Sequence, residues 1–283
     1  MKVQTKSELL LFFNTFIWGS TFVAIKSILD YSSPFVFITA RFSVAAILFT
    51  FIFFNKLRAI QKSTLRKGIL LGILLGVGLS LQTIGLNYTT ASKSSFITGM
   101  LVIFTPLAQV IMKRKIPKLA TLIGVVIVSI GLYFLTSPEG NGINIGDVLT
   151  LISAIIFGIH IVYLDVVTQK ENVLHITFLQ IAVTALIGIF CIPLETPKLI
   201  FSSTFIWLVL YLGFLATVLT LTIQTKFQKE TTPTRAAIIY TFEPVVTAIL
   251  AYIFLQEFLG TWGIVGGVLI IAGILISELS PKK

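Results

Sequence analysis

Apolar residues run along this chain in stretches of roughly twenty, long enough to cross the hydrocarbon of a bilayer as a helix, with short polar breaks between them. Ten such stretches are found, at residues 9–29, 34–54, 68–89, 94–112, 119–136, 147–168, 174–192, 205–225, 233–255 and 259–279. They are apolar on nearly every face, so they predict helices, whereas barrel strands would alternate polar with apolar residues. The longest break, residues 55–67, is too short for a separate folded domain.

Composition agrees with that pattern. Charged residues are 11% of the 283 and apolar residues 56%, whereas a soluble domain carries about 25% charged residues. Disorder is excluded by the same apolar excess. A soluble chain with a net charge of +10 would suggest nucleic acid, but here the charge reads as topology. Most of the Lys and Arg fall in the terminal segments and the alternate loops around Lys56–Lys67 and Lys113–Lys118. Cytoplasmic loops hold the positive excess, so both termini are expected inside and no nucleic acid is implied. The single cysteine, Cys191, excludes an internal disulfide, and with two histidines neither a metal site nor a cofactor is implied.

The two halves repeat. Phe104-Thr105-Pro106 aligns with Phe242-Glu243-Pro244, Trp18-Gly19 with Phe157-Gly158, and Gly124 and Gly131 with Gly266 and Gly273. Five spans is an odd number, so the second copy enters the membrane in the opposite direction. Inverted repeats of this kind recur in secondary transporters, with the substrate site near the midplane where the repeats meet. The expected fold is therefore an all-α integral membrane protein of ten transmembrane helices, divided into repeats at 1–137 and 138–283.

These motifs resemble the EamA family of the drug/metabolite transporter superfamily. The resemblance rests on Trp18 through Lys26, Ala40-Arg41-Phe42, Pro106, the stretch from Ala236-Ala237 to Phe242-Glu243-Pro244, Gln256-Glu257 and the glycines at 263, 266 and 273. One departure is the basic Lys113-Arg114-Lys115, which stands where the second repeat has Leu255-Gln256-Glu257. The resemblance implies a carrier in the plasma (bacterial inner) membrane that exports or exchanges small metabolites, commonly amino acids, by alternating access.

Charge at the bilayer centre costs about 2.5–3.5 kcal/mol on insertion scales, so polar residues at depth are the candidates for function. Glu243 lies about 15 Å into its span and precedes a proline that loosens the helix. Asn14 and Trp18 share a face one turn apart, and Tyr240 stands one turn before Glu243. With Gln82, His160 and Tyr163 they make the expected substrate-binding set. Lys26, Asp30, Arg41 and Glu257 are expected to form an outer gate of ion pairs, with Asp165 near the inner surface, and Pro106 and Pro244 to act as hinges. Fixed packing or pairing is the alternative for each.

His160 and Asp165 form an H-x4-D string, but five residues turn a helix by roughly 140° beyond a full turn, so the side chains diverge. No catalytic residue is expected. Gly68, Gly72 and Gly76 suit close helix packing, within one bundle or across a homodimer seam. Other readings are a carrier of drugs or of phosphorylated or nucleotide-linked solutes, which would need clustered Lys and Arg, or a non-transporting scaffold.

Overall fold

The computed structural model describes residues 3–58, 60–113, 119–136 and 143–278. The expected repeat boundary at 137/138 and the topology-bearing Lys2, Arg114, Lys115, Lys118, Lys282 and Lys283 lie outside the described residues. Among the described residues every regular element is helical, and strand pairing is limited to a single antiparallel bridge between Ser32 and Leu199.

The chain runs up and down through α1 (Val3–Ile28), α2 (Pro34–Phe53), α3 (Lys62–Leu86), α4 (Ala91–Gly99), α5 (Leu101–Lys113), α6 (Leu119–Thr136) and α7 (Ile145–Thr168). It continues through α8 (Val173–Cys191), α9 (Ser203–Gly213), α10 (Thr220–Phe227), α11 (Pro233–Tyr240), α12 (Glu243–Leu255) and α13 (Gly260–Glu278). Among the described residues, eight helical segments are long and apolar enough to cross a membrane, and Gly260–Gly273 is a shorter apolar one. Length and composition thus support eight of the ten expected spans. The fifth, α6, is helical and packs chiefly on α13. Phe51, Ile111 and Phe190 are 85, 81 and 76% exposed, an apolar surface suited to lipid and not to water.

Three of the expected spans are broken helices. The fourth divides at Met100 into α4 and α5, with Pro106 inside α5. The ninth divides at Thr241–Phe242, directly before Glu243 and Pro244. Pro244 sits in the first turn of α12, where its missing N–H is not required, so it opens the new helix as readily as it ends the old one. The eighth widens between α9 and α10 into a π-helical turn, Phe214–Leu219.

Glycines let the helices meet backbone to backbone. A Cβ on Gly131 would stand 2.8 Å from the Gly266 carbonyl oxygen, and one on Gly273 would stand 2.8 Å from that of Gly124. The contact is reciprocal between α6 and α13. Likewise a Cβ on Gly19 would lie 2.8 Å from the Glu243 carbonyl oxygen, and one on Gly158 would lie 3.0 Å from the Thr105 nitrogen. Around these contacts lie two apolar cores, one built on Phe22, Phe37, Phe42 and Phe49, the other on Leu11, Phe96, Tyr240 and Ile270.

Candidate functional site

Between the halves lies a cavity of about 90 Å³, walled by residues of both. From the first half come Trp18, Thr21, Arg41, Phe42, Leu75, Leu79, Gln82, Thr98 and Leu101, and from the second Phe157, His160, Ile161, Ala216, Leu221, Gln224, Tyr240 and Glu243. Continuous helices α1, α2, α3 and α7 supply Trp18, Thr21, Arg41, Gln82 and His160, and the broken spans add Thr98, Gln224, Tyr240 and Glu243. Tyr240 is the last residue of α11 and Glu243 the first of α12.

Five of the seven residues expected to bind substrate stand on this wall: Trp18, Gln82, His160, Tyr240 and Glu243. The Trp18 indole donates to the Thr220 hydroxyl at 2.9 Å and meets the Tyr240 ring edge-on, with centroids 5.1 Å apart. Gln82 donates to Thr98 at 2.9 Å. His160 Nε2 lies 2.7 Å from Gln180 Oε1, whose amide nitrogen donates to the Ile176 carbonyl. An amide oxygen can only accept, so His160 Nε2 is the donor in this bond. Among the described residues, the Glu243 carboxyl group makes no hydrogen bond or ion pair.

Two expected site residues lie elsewhere. Asn14 is fully buried one turn before Trp18, where it donates to the Thr220 carbonyl at 2.9 Å. Tyr163 packs against the small core of Leu71, Leu164, Val167 and Ile176. It shares a helix with His160 but not the cavity face. Thr98 and Gln224 line the cavity without having been singled out in the sequence. Gln224 donates to Gln228, which also accepts from Tyr240 and donates to the Ile161 carbonyl.

The expected outer gate does not form as one ion-pair network. Lys26 donates to the carbonyls of Leu86 at 2.5 Å and Thr89 at 2.8 Å, closing the C-terminal end of α3. Asp30 and Glu257 act on its charge from nearby. The Asp30 carbonyl accepts from Lys198. Glu257 accepts from the backbone nitrogens of Ala91 and Ser92, both at 2.9 Å, so it caps α4. Arg41 turns into the cavity instead. Asp165 is buried near the end of α7 where α8 begins.

Glu257 is one of several acidic residues that cross between halves to a helix N-terminus, where the dipole favours negative charge. At the same end of the bundle, Glu195 accepts from Ser33, Phe35 and Val36 at the start of α2, and Asp147 of α7 pairs with Lys93 at 2.7 Å. At the opposite end, where α1 begins, Glu8 accepts from Arg235 and Thr231 at 3.1 and 3.0 Å. Glu171 accepts there from Lys67 and Thr64 at the start of α3, both at 2.5 Å. Those hydrogen bonds, Lys67 foremost, hold the Glu171 carboxyl below its ordinary value of 4.5. Capping by a distant loop leaves no local spacing, so this arrangement has no signature in the sequence.

Residues 5–137 and 144–279 each match the EamA-like transporter family. An uncharacterized transporter of Archaeoglobus fulgidus is 31% identical over 264 residues, covering 93% of this chain and 82% of its own length. The uncharacterized transporter YoaV of Bacillus subtilis is 25% identical over 279 residues, with 95% of each chain covered. A solved crystal structure shares the fold at a TM-score of 0.75 and 15% identity, over 97% of both chains.

Proposed function

Since the chain belongs to the EamA-like transporter family, we propose that it exports or exchanges a small organic metabolite, an amino acid foremost, across the plasma (bacterial inner) membrane by alternating access. The observation that carries this reading is the cavity between two halves of an apolar bundle, with a few polar side chains set into a mostly apolar wall. A scaffold would need no Glu243 carboxyl that lacks a partner among the described residues. In this reading the chain forms ten spans as two inverted five-helix repeats with both termini cytoplasmic. The reciprocal glycine contacts of α6 with α13, and of Gly19 and Gly158 with the broken helices, are what a two-fold relation would produce.

The two halves rock about the cavity, which opens to one side of the membrane and then the other. The acidic caps at the two ends of the bundle join one half to the other and are the contacts such rocking exchanges. Trp18, Gln82, His160, Tyr240 and Glu243 form the substrate wall, and Pro106 and Pro244 mark where the fourth and ninth spans bend. Cavity size favours a small solute. At about 90 Å³ the space is smaller than the ~150 Å³ cavity that admits benzene, too small for a nucleotide-linked substrate in this conformation.

Purified protein in liposomes, loaded with a panel of radiolabelled amino acids and other small metabolites, tests the proposal with and without a pH gradient. Counterflow of at least one amino acid is expected, and Glu243→Gln should abolish it while the variant remains monodisperse in detergent. Absence of transport across the whole panel overturns the carrier reading. Undiminished transport by Glu243→Gln removes that residue from the site.

A further inference from the structure

Arg41 is 5% exposed, yet no carboxylate pairs with it among the described residues, an arrangement that an intramembrane cation does not adopt without cause. Its partners are neutral and come from one place. Nε donates to the Thr217 hydroxyl at 2.9 Å and Nη2 to the Ala216 carbonyl at 3.0 Å, both within the π-helical turn Phe214–Leu219. The turn is built to accept them. Thr217 spends its own proton on the Leu212 carbonyl at 2.7 Å, so its oxygen faces Nε as an acceptor. The Thr220 N–H reaches the carbonyls of Leu215 and Thr217, passing over Ala216, which would be its ordinary partner four residues back.

These two bonds use one edge of the guanidinium fork. A guanidinium has five N–H donors, and the edge formed by Nη1 and the second Nη2 hydrogen remains. Among the described residues Arg41 is also the one Lys or Arg on the cavity wall, which it shares with the Glu243 carboxyl, with polar Gln82 and His160, and with apolar Leu75, Leu79, Leu101 and Phe157.

Resting on the carrier reading, we propose that Arg41, anchored by the π-helical turn, is the receptor for a carboxylate group of the transported solute. A planar fork with its far edge pinned matches a carboxylate in bidentate fashion, and the mostly apolar wall strengthens the pair. One cation in about 90 Å³ fits one carboxylate on a small molecule. Thr217 and the Ala216 carbonyl position the guanidinium, and Thr217 itself is not on the cavity wall.

The test compares L-alanine, L-serine and L-threonine with their carboxamides in counterflow by the wild-type protein in liposomes, so its first arm needs no variant. Acids carried with amides excluded is the expected result. Arg41→Lys keeps the charge and loses the fork, and should raise KM for the acids about tenfold or more with a smaller change in kcat. Thr217→Val, which keeps Arg41 but releases Nε, should raise KM less. Equal transport of acids and amides, or an unchanged KM in a monodisperse Arg41→Lys protein, overturns the role of Arg41 and leaves the carrier reading standing. A wild-type protein that moves neither acids nor amides, nor any other carboxylate of the wider panel, overturns this assignment; if it moves nothing at all, the carrier reading falls as well.

Discussion

Trp18 and Thr220, 202 residues apart in the chain, are joined by a 2.9 Å hydrogen bond from the indole nitrogen to the hydroxyl. The same threonine accepts Asn14 on its carbonyl oxygen, and the π-helical turn before it accepts Arg41. Three polar residues of the first half are thus held by one short stretch of the second. Thr220→Val keeps the shape of the side chain and leaves the indole N–H without its partner. Interhelical hydrogen bonds in membranes average about 0.6 kcal/mol, so a loss of about that size is expected. It would be read as a small drop in thermal midpoint in detergent, with a larger effect on transport because the Trp18 ring is released from the cavity wall.

Close helix contact makes a second, sharper expectation. A Cβ added at Gly19 would meet Val246 Cβ at 2.7 Å and the Glu243 carbonyl oxygen at 2.8 Å, and a backbone oxygen cannot swing aside. Gly19→Ala should cost about 1–3 kcal/mol, as overpacking commonly does. Gly267→Ala meets only the far edge of the Phe96 ring, nearest at 3.0 Å, so a small ring movement relieves it and the cost should be smaller. Fluorescence-detected thermal unfolding of the two variants side by side checks the ranking.

The sequence carried the helices and five of the polar residues on the cavity wall, because each stood out from an apolar run. Trp18, Gln82, His160, Tyr240 and Glu243 needed no tertiary information beyond depth. Tyr163 and Asn14 were misplaced because depth does not say which face of a helix meets the cavity. Residues Ala216 to Thr220 read as ordinary membrane helix, so the π-helical turn and its hold on Arg41 had no local signal. Arg41 was assigned to a gate for the same reason, since its neutral acceptors lie in a span that the sequence could not place beside it. Glu195 and Glu171 lie between helices with no local pattern around them, and only the folded chain brings them to the starts of α2 and α3.

Glu171 gives the fold a dependence on acid that can be isolated. Hydrogen bonds from Lys67 and Thr64 hold its carboxyl below the ordinary value of 4.5. A lowered folded-state value means that the ionised form is favoured by folding, so its stabilisation is complete above pH 4.5 and fades as the pH falls through the lowered value. Glu171→Gln lacks this term. The difference in thermal midpoint between wild type and variant should hold steady from neutral pH to about pH 5 and shrink below it. A difference that stays constant down to strongly acid pH would show that the pair contributes nothing through ionisation.

The acidic caps at the two ends should act in opposite directions if the halves rock. Glu195 and Glu257 join the halves where α2 and α4 begin, and Glu8 and Glu171 join them where α11 and α3 begin. A hydrogen bond to a charged group is worth about 1.5–3 kcal/mol, and about 1.4 kcal/mol shifts a two-state balance tenfold. Changing one pair to glutamine is therefore enough to alter which side the cavity faces. A single reporter cysteine at Leu79 on the cavity wall, with Cys191 replaced by serine, can be labelled with a membrane-impermeant maleimide from either side of oriented vesicles. Glu195→Gln with Glu257→Gln should speed labelling from the side of those two residues and slow it from the other. Glu8→Gln with Glu171→Gln should do the reverse. If both double variants raise labelling from the same side, the caps hold a static fold and the halves do not exchange them.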